Sequence, residues 1–231
     1  MNVDIEELLA PGGALSLVDP DYEHRPQQSQ MAAAVWGALE GENHLVVEAG
    51  TGVGKSLAYL LPGALWAASR GLRLIVSTHT RALQEQLMEK ELPVAAAVLK
   101  TLGFPLRYAM LMGADNYLCV QRLAQLRAAP EMFDEAGAKT LAEITQWAET
   151  ASTGHRSALP CLVPQGTWSR ISRDPNLCLG QNGRYWNSCL YRKDREKAER
   201  AHILVVNHAL LLSGGRLPSF DALVIDEAHN L

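Results

Sequence analysis

The 231-residue chain lacks any apolar run approaching the roughly 20 residues that a helix needs to cross a bilayer. Its N-terminus, MNVDIEELLAPGG, is acidic where a secretory leader would be basic. The expected compartment is therefore the cytoplasm, with no membrane partner. Positive charge is not in surplus either: 21 Lys and Arg stand against 25 Asp and Glu, a net charge of −4. No global field then draws the chain to a polyanion, and any nucleic-acid surface must be a local patch. Only four cysteines are present. Without an export signal they read as reduced thiols or metal ligands rather than a disulfide framework. Internal repeats, low-complexity tracts and flexible linkers are missing as well.

What is present is ordinary globular material, 48% hydrophobic and 20% charged, enough for one large domain or two small ones. Short β-rich apolar runs punctuate it: HLVVEA at 44–49, RLIVST at 73–78, HILVVNH at 202–208 and ALVIDEA at 222–228. Such runs read as buried parallel strands. Helix-compatible apolar spacing occupies 56–69, interrupted by Pro62 and Gly63, and good helix formers fill 81–100. Strand, helix, strand in this order predicts a doubly wound α/β layer, a mostly parallel sheet with flanking helices. The rhythm stops from about 113 to 200, a stretch that holds all four cysteines, three of the five tryptophans and scattered Gly and Pro. It reads as an insertion, so the expected organisation is a first α/β part over 1–112, an inserted subdomain over 113–200, and a return to the sheet over 201–231.

The most specific chemistry lies at Ala49, Gly50, Thr51, Gly52, Val53, Gly54, Lys55 and Ser56, directly after the run HLVVE and opening a helix. This is the pattern of a phosphate-binding loop. Glycines permit the positive φ that turns successive N–H groups inward, and the helix N-terminus adds its positive dipole end. Lys55 neutralises the β- and γ-phosphates and the Ser56 hydroxyl ligates magnesium. Ala49 stands where the pattern has its first glycine, and a small side chain is tolerated there if its φ is negative. At the far end, the apolar run 222–225 leads straight into Asp226, Glu227, Ala228 and His229. Carboxylates at the C-terminal edge of a strand sit where open α/β sheets bind ligands. Asp226 suits the magnesium ion and Glu227 a water-activating role. Alone, such a string could equally cap a turn.

AGTGVGKS followed by DEAH resembles a superfamily 2 helicase, and the segments between narrow the resemblance to the DinG/XPD-like branch. YEHRPQQ at 22–28 is similar to the family's adenine-reading element, which implies that Gln28 bonds the base edge with Tyr22 or Arg25 packed nearby. STHTRALQEQL at 77–87 resembles a motif that contacts the nucleic-acid backbone; its hydroxyls, imidazole and guanidinium suit phosphate oxygens, and Ser77 to Thr80 also suit a helix N-cap. GADNYLC at 113–119 resembles the lead-in to an iron–sulfur insertion, and VVNHALL at 205–211 the return to the sheet. The resemblance implies a RecA-like P-loop NTPase fold, ATP and magnesium as cofactors, and catalytic roles for Lys55, Asp226, Glu227 and His229. It also implies a 5′ to 3′ DNA helicase, acting on single-stranded DNA in processes such as repair.

Cys119, Cys161, Cys178 and Cys189 all fall in the insertion. The resemblance makes them candidate ligands of a [4Fe–4S] cluster, with Gly183 standing where a further cysteine is implied and Cys161 as the substitute. A tetrahedral zinc site of four thiolates and scattered buried thiols fit the residues as well. The insertion also carries a basic, aromatic stretch over 165–204 with Arg170, Arg173 and Arg184 as DNA-contact candidates, while 193–199 reads as a solvated helix. The sequence stops two residues past DEAH, which leads to the expectation of a first motor domain that needs a second, absent one for full turnover. The alternatives are a non-hydrolysing nucleotide- and DNA-binding module or a truncated regulatory form.

Overall fold

Branched aliphatic residues crowd three short segments, and in the computed structural model these become β1 (Leu74–Thr78), β3 (Ile203–Asn207) and β4 (Ala222–Ile225), joined by the shorter β2 (Tyr108–Met110), whose sequence is YAM. The structure describes residues 4–50, 52–129, 135–214 and 216–231. The strands form one parallel sheet in the order β2-β3-β1-β4, with Leu74 in register with both Ile203 and Ala222. β1 is buried along its whole length and β3 for all but Asn207, which is why their sequences show unbroken apolar runs. β4, an edge strand, alternates instead, leaving Leu223 and Ile225 39% and 37% exposed.

One expected strand is missing from this ladder. Residues 44–49 have no strand assignment, and Val46 is 97% exposed. A run of three aliphatics flanked by Asn43, His44 and Glu48 has the local propensity for a strand, but a strand exists only through its partner, and that pairing is a non-local property. Among the described residues β4 pairs with β1 alone.

Chain contacts divide the molecule into two compact units, Met1–Met110 with Arg200–Leu231, and Leu111–Glu199. In the first, α1 (Ile5–Leu9), α2 (Ala14–Val18), α3 (Pro26–Glu40) and α4 (Lys55–Arg70) precede β1, and α5 (Arg81–Gln86) and α6 (Leu92–Thr101) follow it. α4 is buried all round from Ala58 to Ala67, and its core neighbours include Leu74, Val76, Ile203 and Val205, the alternate residues of one sheet face. The expected interruption at Pro62 and Gly63 does not break this helix. Pro62 removes one backbone donor, while Gly63 lets the helix lie close to the sheet, since a Cβ there would stand 2.4 Å from Leu74 Cδ2. The single helix expected over 81–100 is instead interrupted by a π-turn at Leu87–Glu91. Pro93 follows at once, and a residue without an N–H cannot bond the carbonyl four residues back.

The second unit holds α7 (Val120–Arg127), α8 (Glu135–Thr150), α9 (Gln165–Ile171) and α10 (Leu190–Arg200) around Leu118, Leu123, Ile144, Trp168, Ile171 and Leu190. Its irregular segments are tied by side chains: Trp168 Nε1 donates to the Asp115 carbonyl at 2.9 Å, and Arg122 donates to the carbonyls of Ser169 and Ser172. A buried polar cluster lies beside the apolar one. The Tyr117 hydroxyl accepts from the Met112 N–H at 3.2 Å and faces His155 Nε2 at 3.0 Å, and the Thr153 hydroxyl donates to Asp194 at 2.6 Å. α10, expected over 193–199 as a solvated helix, carries the i, i+4 pairs Arg192–Glu196 and Arg195–Glu199, but its Asp194 is buried rather than solvated. In the first unit, α11 (His208–Leu212) follows β3 directly, capped by Asn207 Oδ1, which accepts from the Leu210 N–H at 2.8 Å. Among the described residues no helix is long and apolar enough to cross a membrane.

Candidate nucleotide site

The glycines of the phosphate-loop pattern adopt the backbone it requires. Gly52 and Gly54 have φ of 79° and 81°, in the left-handed region that favours glycine. Ala49 is not among the positive-φ residues, so its Cβ meets no backbone penalty. Thr51 lies outside the described residues. Gly54 is the N-cap of α4 and supplies no side-chain acceptor, so the first-turn N–H groups of a 16-residue helix lack the cap that Ser, Thr or Asp would provide. Exposed donors at a positive dipole end make an anion site. Lys55 and Ser56 open this helix, half-buried beside it.

The acids arrive from the other end of the chain. The Asp226 N–H donates to the Ser77 carbonyl at 2.8 Å, extending the β4–β1 ladder by one residue. Glu227 then turns sharply, with φ of 55°, and its carboxylate accepts from Lys55 Nζ at 3.1 Å. Residues 172 positions apart thus meet at the C-terminal edge of the sheet. Burial, then repulsion from Glu227, raises the Asp226 carboxyl above the ordinary carboxylate range, while Tyr59 and Lys55 act in the opposite direction. His229, 73% exposed at its side chain, stands 3.5 Å from the second Glu227 oxygen. The Ser56 hydroxyl and Asp226 carboxylate are hard oxygen donors of the kind magnesium takes.

Gln28 lies against the phosphate loop. Its amide is buried, with Nε2 donating to the Gly54 carbonyl at 2.9 Å and Oε1 facing the Tyr22 hydroxyl at 3.0 Å. Tyr22 shares that proton with the Leu9 carbonyl at 2.9 Å. Gln28 therefore braces the loop, with one N–H and one lone pair left over. Arg25 pairs with Glu23 at the surface. Sequence reasoning missed this brace, and it missed Tyr59, whose spacing of four from Lys55 was the available signal for a shared helix face.

The segment 77–87 divides by burial. Ser77 and Thr78 are fully buried in β1, where Ser77 Oγ lies 2.7 Å from His208 Nδ1, so neither hydroxyl is presented to a phosphate backbone. Thr80 caps α5 by accepting from the Leu83 N–H at 3.2 Å, and His79, Thr80 and Arg81 are exposed. In the second unit Arg173 lies 4.1 Å over the Tyr191 ring and Arg184 5.7 Å from that of Tyr185.

The cysteines do not assemble as a cluster requires. Among the described residues no three His, Cys, Asp or Glu side chains gather as a metal-binding group, and Cys119, Cys161, Cys178 and Cys189 are all free. Cys161 packs against the apolar core of its unit, where burial, then the Glu143 carboxylate, raises its thiol pKa. That favours the protonated form over the thiolate that binds iron or zinc. The four-thiolate site is therefore not supported by this donor set.

Residues 25–128 match the family described as DEAD/DEAH box helicase, a span that includes the phosphate loop. Over 96% of its length the chain is 35% identical to the ATP-dependent DNA helicase YoaA of Escherichia coli (strain K12). Over all of it, the chain is 36% identical to the ATP-dependent helicase DinG of Mycobacterium tuberculosis (strain ATCC 25618 / H37Rv). Identity is 31% over 94% of the chain to the 3′-5′ exonuclease DinG of Bacillus subtilis (strain 168). The chain spans 35%, 37% and 23% of the lengths of these three relatives. With the phosphate loop, the acidic strand end and these matches in agreement, the chain carries a DEAD/DEAH box helicase domain and is similar along nearly its whole length to the DinG and YoaA helicases.

Proposed function

We propose that this chain is the ATP-binding motor domain of a DinG-like DNA helicase, with Leu111–Glu199 as its inserted subdomain. The observation that carries the reading is the Lys55–Glu227 contact at the uncapped start of α4, which unites loop lysine and candidate base in one edge of the sheet. Nucleotide binding exchanges that contact for one between Lys55 and the β- and γ-phosphates. The Glu227 carboxylate is then released to accept a proton from the attacking water. Ser56 and Asp226 would hold magnesium, which when bound neutralises phosphate charge. His229 stays at the exposed rim beside Glu227 and Asn230, and Gln28, with Tyr22 and Arg25 nearby, offers its spare amide capacity to an adenine edge.

Single-stranded DNA is the proposed partner, through His79, Thr80 and Arg81 and through the arginine–aromatic pairs of the inserted unit, with 5′ to 3′ movement as the direction implied by the resemblance. A second motor domain is the other proposed partner, since transition-state charge on the γ-phosphate calls for a cation from across the site. The test is equilibrium titration with a fluorescent ATP analogue in the presence of magnesium. Lys55→Ala should bind at least ~10-fold more weakly, because it removes the charge-assisted contact to the phosphates. Equal affinity of variant and wild type would place the nucleotide elsewhere and overturn the reading.

A further inference from the structure

Tyr59 lies one helical turn beyond Lys55 and three residues beyond Ser56, in the fully buried stretch of α4. The side chain is only 3% exposed, and its hydroxyl is inaccessible to solvent and closes no hydrogen bond. Folded proteins rarely leave such a group unpaired, and where they do the group commonly serves something other than the fold. The polar side chains that act on this phenol are Asp226 and Ser56, with Glu91 as a weaker, electrostatic neighbour. Neither Asp226 nor Ser56 reaches hydrogen-bond geometry with it in this structure. They are, however, the two groups assigned above to magnesium.

The chemistry of those two ligands explains what a phenol between them can do. A serine that gives a lone pair to a metal still has its proton to place, and a carboxylate that gives one oxygen to a metal leaves the other to be oriented by a donor. A tyrosine hydroxyl accepts one hydrogen bond and donates one. We infer that Tyr59 is a positioning residue for the metal ligands: its oxygen accepts the Ser56 proton while its own O–H donates to the free oxygen of Asp226. The inference rests on the proposed nucleotide site.

The experiment is Tyr59→Phe, which keeps the ring and removes only the oxygen. Affinity for a fluorescent ATP analogue is measured across a magnesium titration and again in excess chelator, with thermal melting of the nucleotide-free protein alongside. The half-saturating magnesium concentration should rise ~10-fold or more, the range lost when an outer-shell partner of a metal ligand is removed. Chelator affinity should stay within ~2-fold, and the nucleotide-free melting temperature should hold or rise, because a buried unpaired hydroxyl has gone. An unchanged magnesium requirement in a variant that still binds nucleotide overturns the role of Tyr59 and leaves the site reading intact. An equal loss of affinity in chelator makes the phenol merely structural and also overturns it. Wild-type protein that binds no nucleotide overturns the site reading, and the role of Tyr59 with it.

Discussion

Gly54 shows how much of a phosphate loop can depend on one hydrogen atom. Its φ of 81° costs an L-residue about 1–2 kcal/mol, and a Cβ there would stand 2.3 Å from Gln28 Nε2. Gln28 cannot swing away cheaply, because its amide is tied to the Gly54 carbonyl and the Tyr22 hydroxyl. Gly54→Ala should therefore lower stability by about 1–3 kcal/mol and weaken ATP binding at least ~10-fold by rotating the first N–H groups of α4. Chemical denaturation and nucleotide titration together check this, and a variant normal in both would mean the loop tolerates a different backbone. The requirement for glycine was legible in the sequence; the brace that enforces it was not, because Gln28 lies 26 residues away.

At the scale of elements, His202 is the stitch at the start of β3. Its carbonyl accepts from the Leu74 N–H at 2.8 Å, its N–H donates to the Arg107 carbonyl at 2.8 Å, and its Nδ1 accepts from the Arg107 N–H at 3.4 Å. A ring nitrogen that accepts must be unprotonated. Burial, then the positive charges of Arg107 and Arg73, lowers the His202 pKa below its ordinary 6.5. A folded pKa below the unfolded one means that the unfolded chain takes up the proton first as pH falls. The stabilisation is thus complete above about pH 6.5 and is lost progressively below it. His202→Asn, whose Oδ1 can take the Arg107 bond without titrating, should lose less melting temperature than wild type between pH 7.5 and pH 5.5. Parallel curves for the two proteins would remove His202 from the acid response. The strand itself was readable from its aliphatics; the stitch made by the residue just before it depends on register, which local sequence does not contain.

For the molecule as a whole, the inserted unit is held by an apolar core and a buried Tyr117, His155 and Asp194 cluster rather than by a gathered set of thiolates. Cys161 belongs to that core. Cys161→Ala should leave the iron and zinc content of the purified protein unchanged and lower stability by about 1 kcal/mol, the order expected for shrinking a partly buried side chain. Metal analysis by mass spectrometry with a melting curve decides it. A loss of stoichiometric metal in the variant would restore Cys161 as a ligand.

The sequence by itself determined the parts whose physics is local. The order of residues from Ala49 to Ser56 dictates a turn of positive φ feeding a helix, and an aliphatic run ending in Asp226 and Glu227 puts acids at a strand's end. Tertiary structure decided everything that needed a partner. It left 44–49 outside the ladder although its propensity is that of a strand, and it hid Ser77 and Thr78 in β1 although their chemistry suits a phosphate. It also committed Cys161 to an apolar core and set Tyr59 beside Asp226 across 167 positions of chain, the difference of their residue numbers. Propensity and motif are properties of neighbours along the chain, whereas pairing, burial and the pKa of a carboxylate belong to neighbours in space.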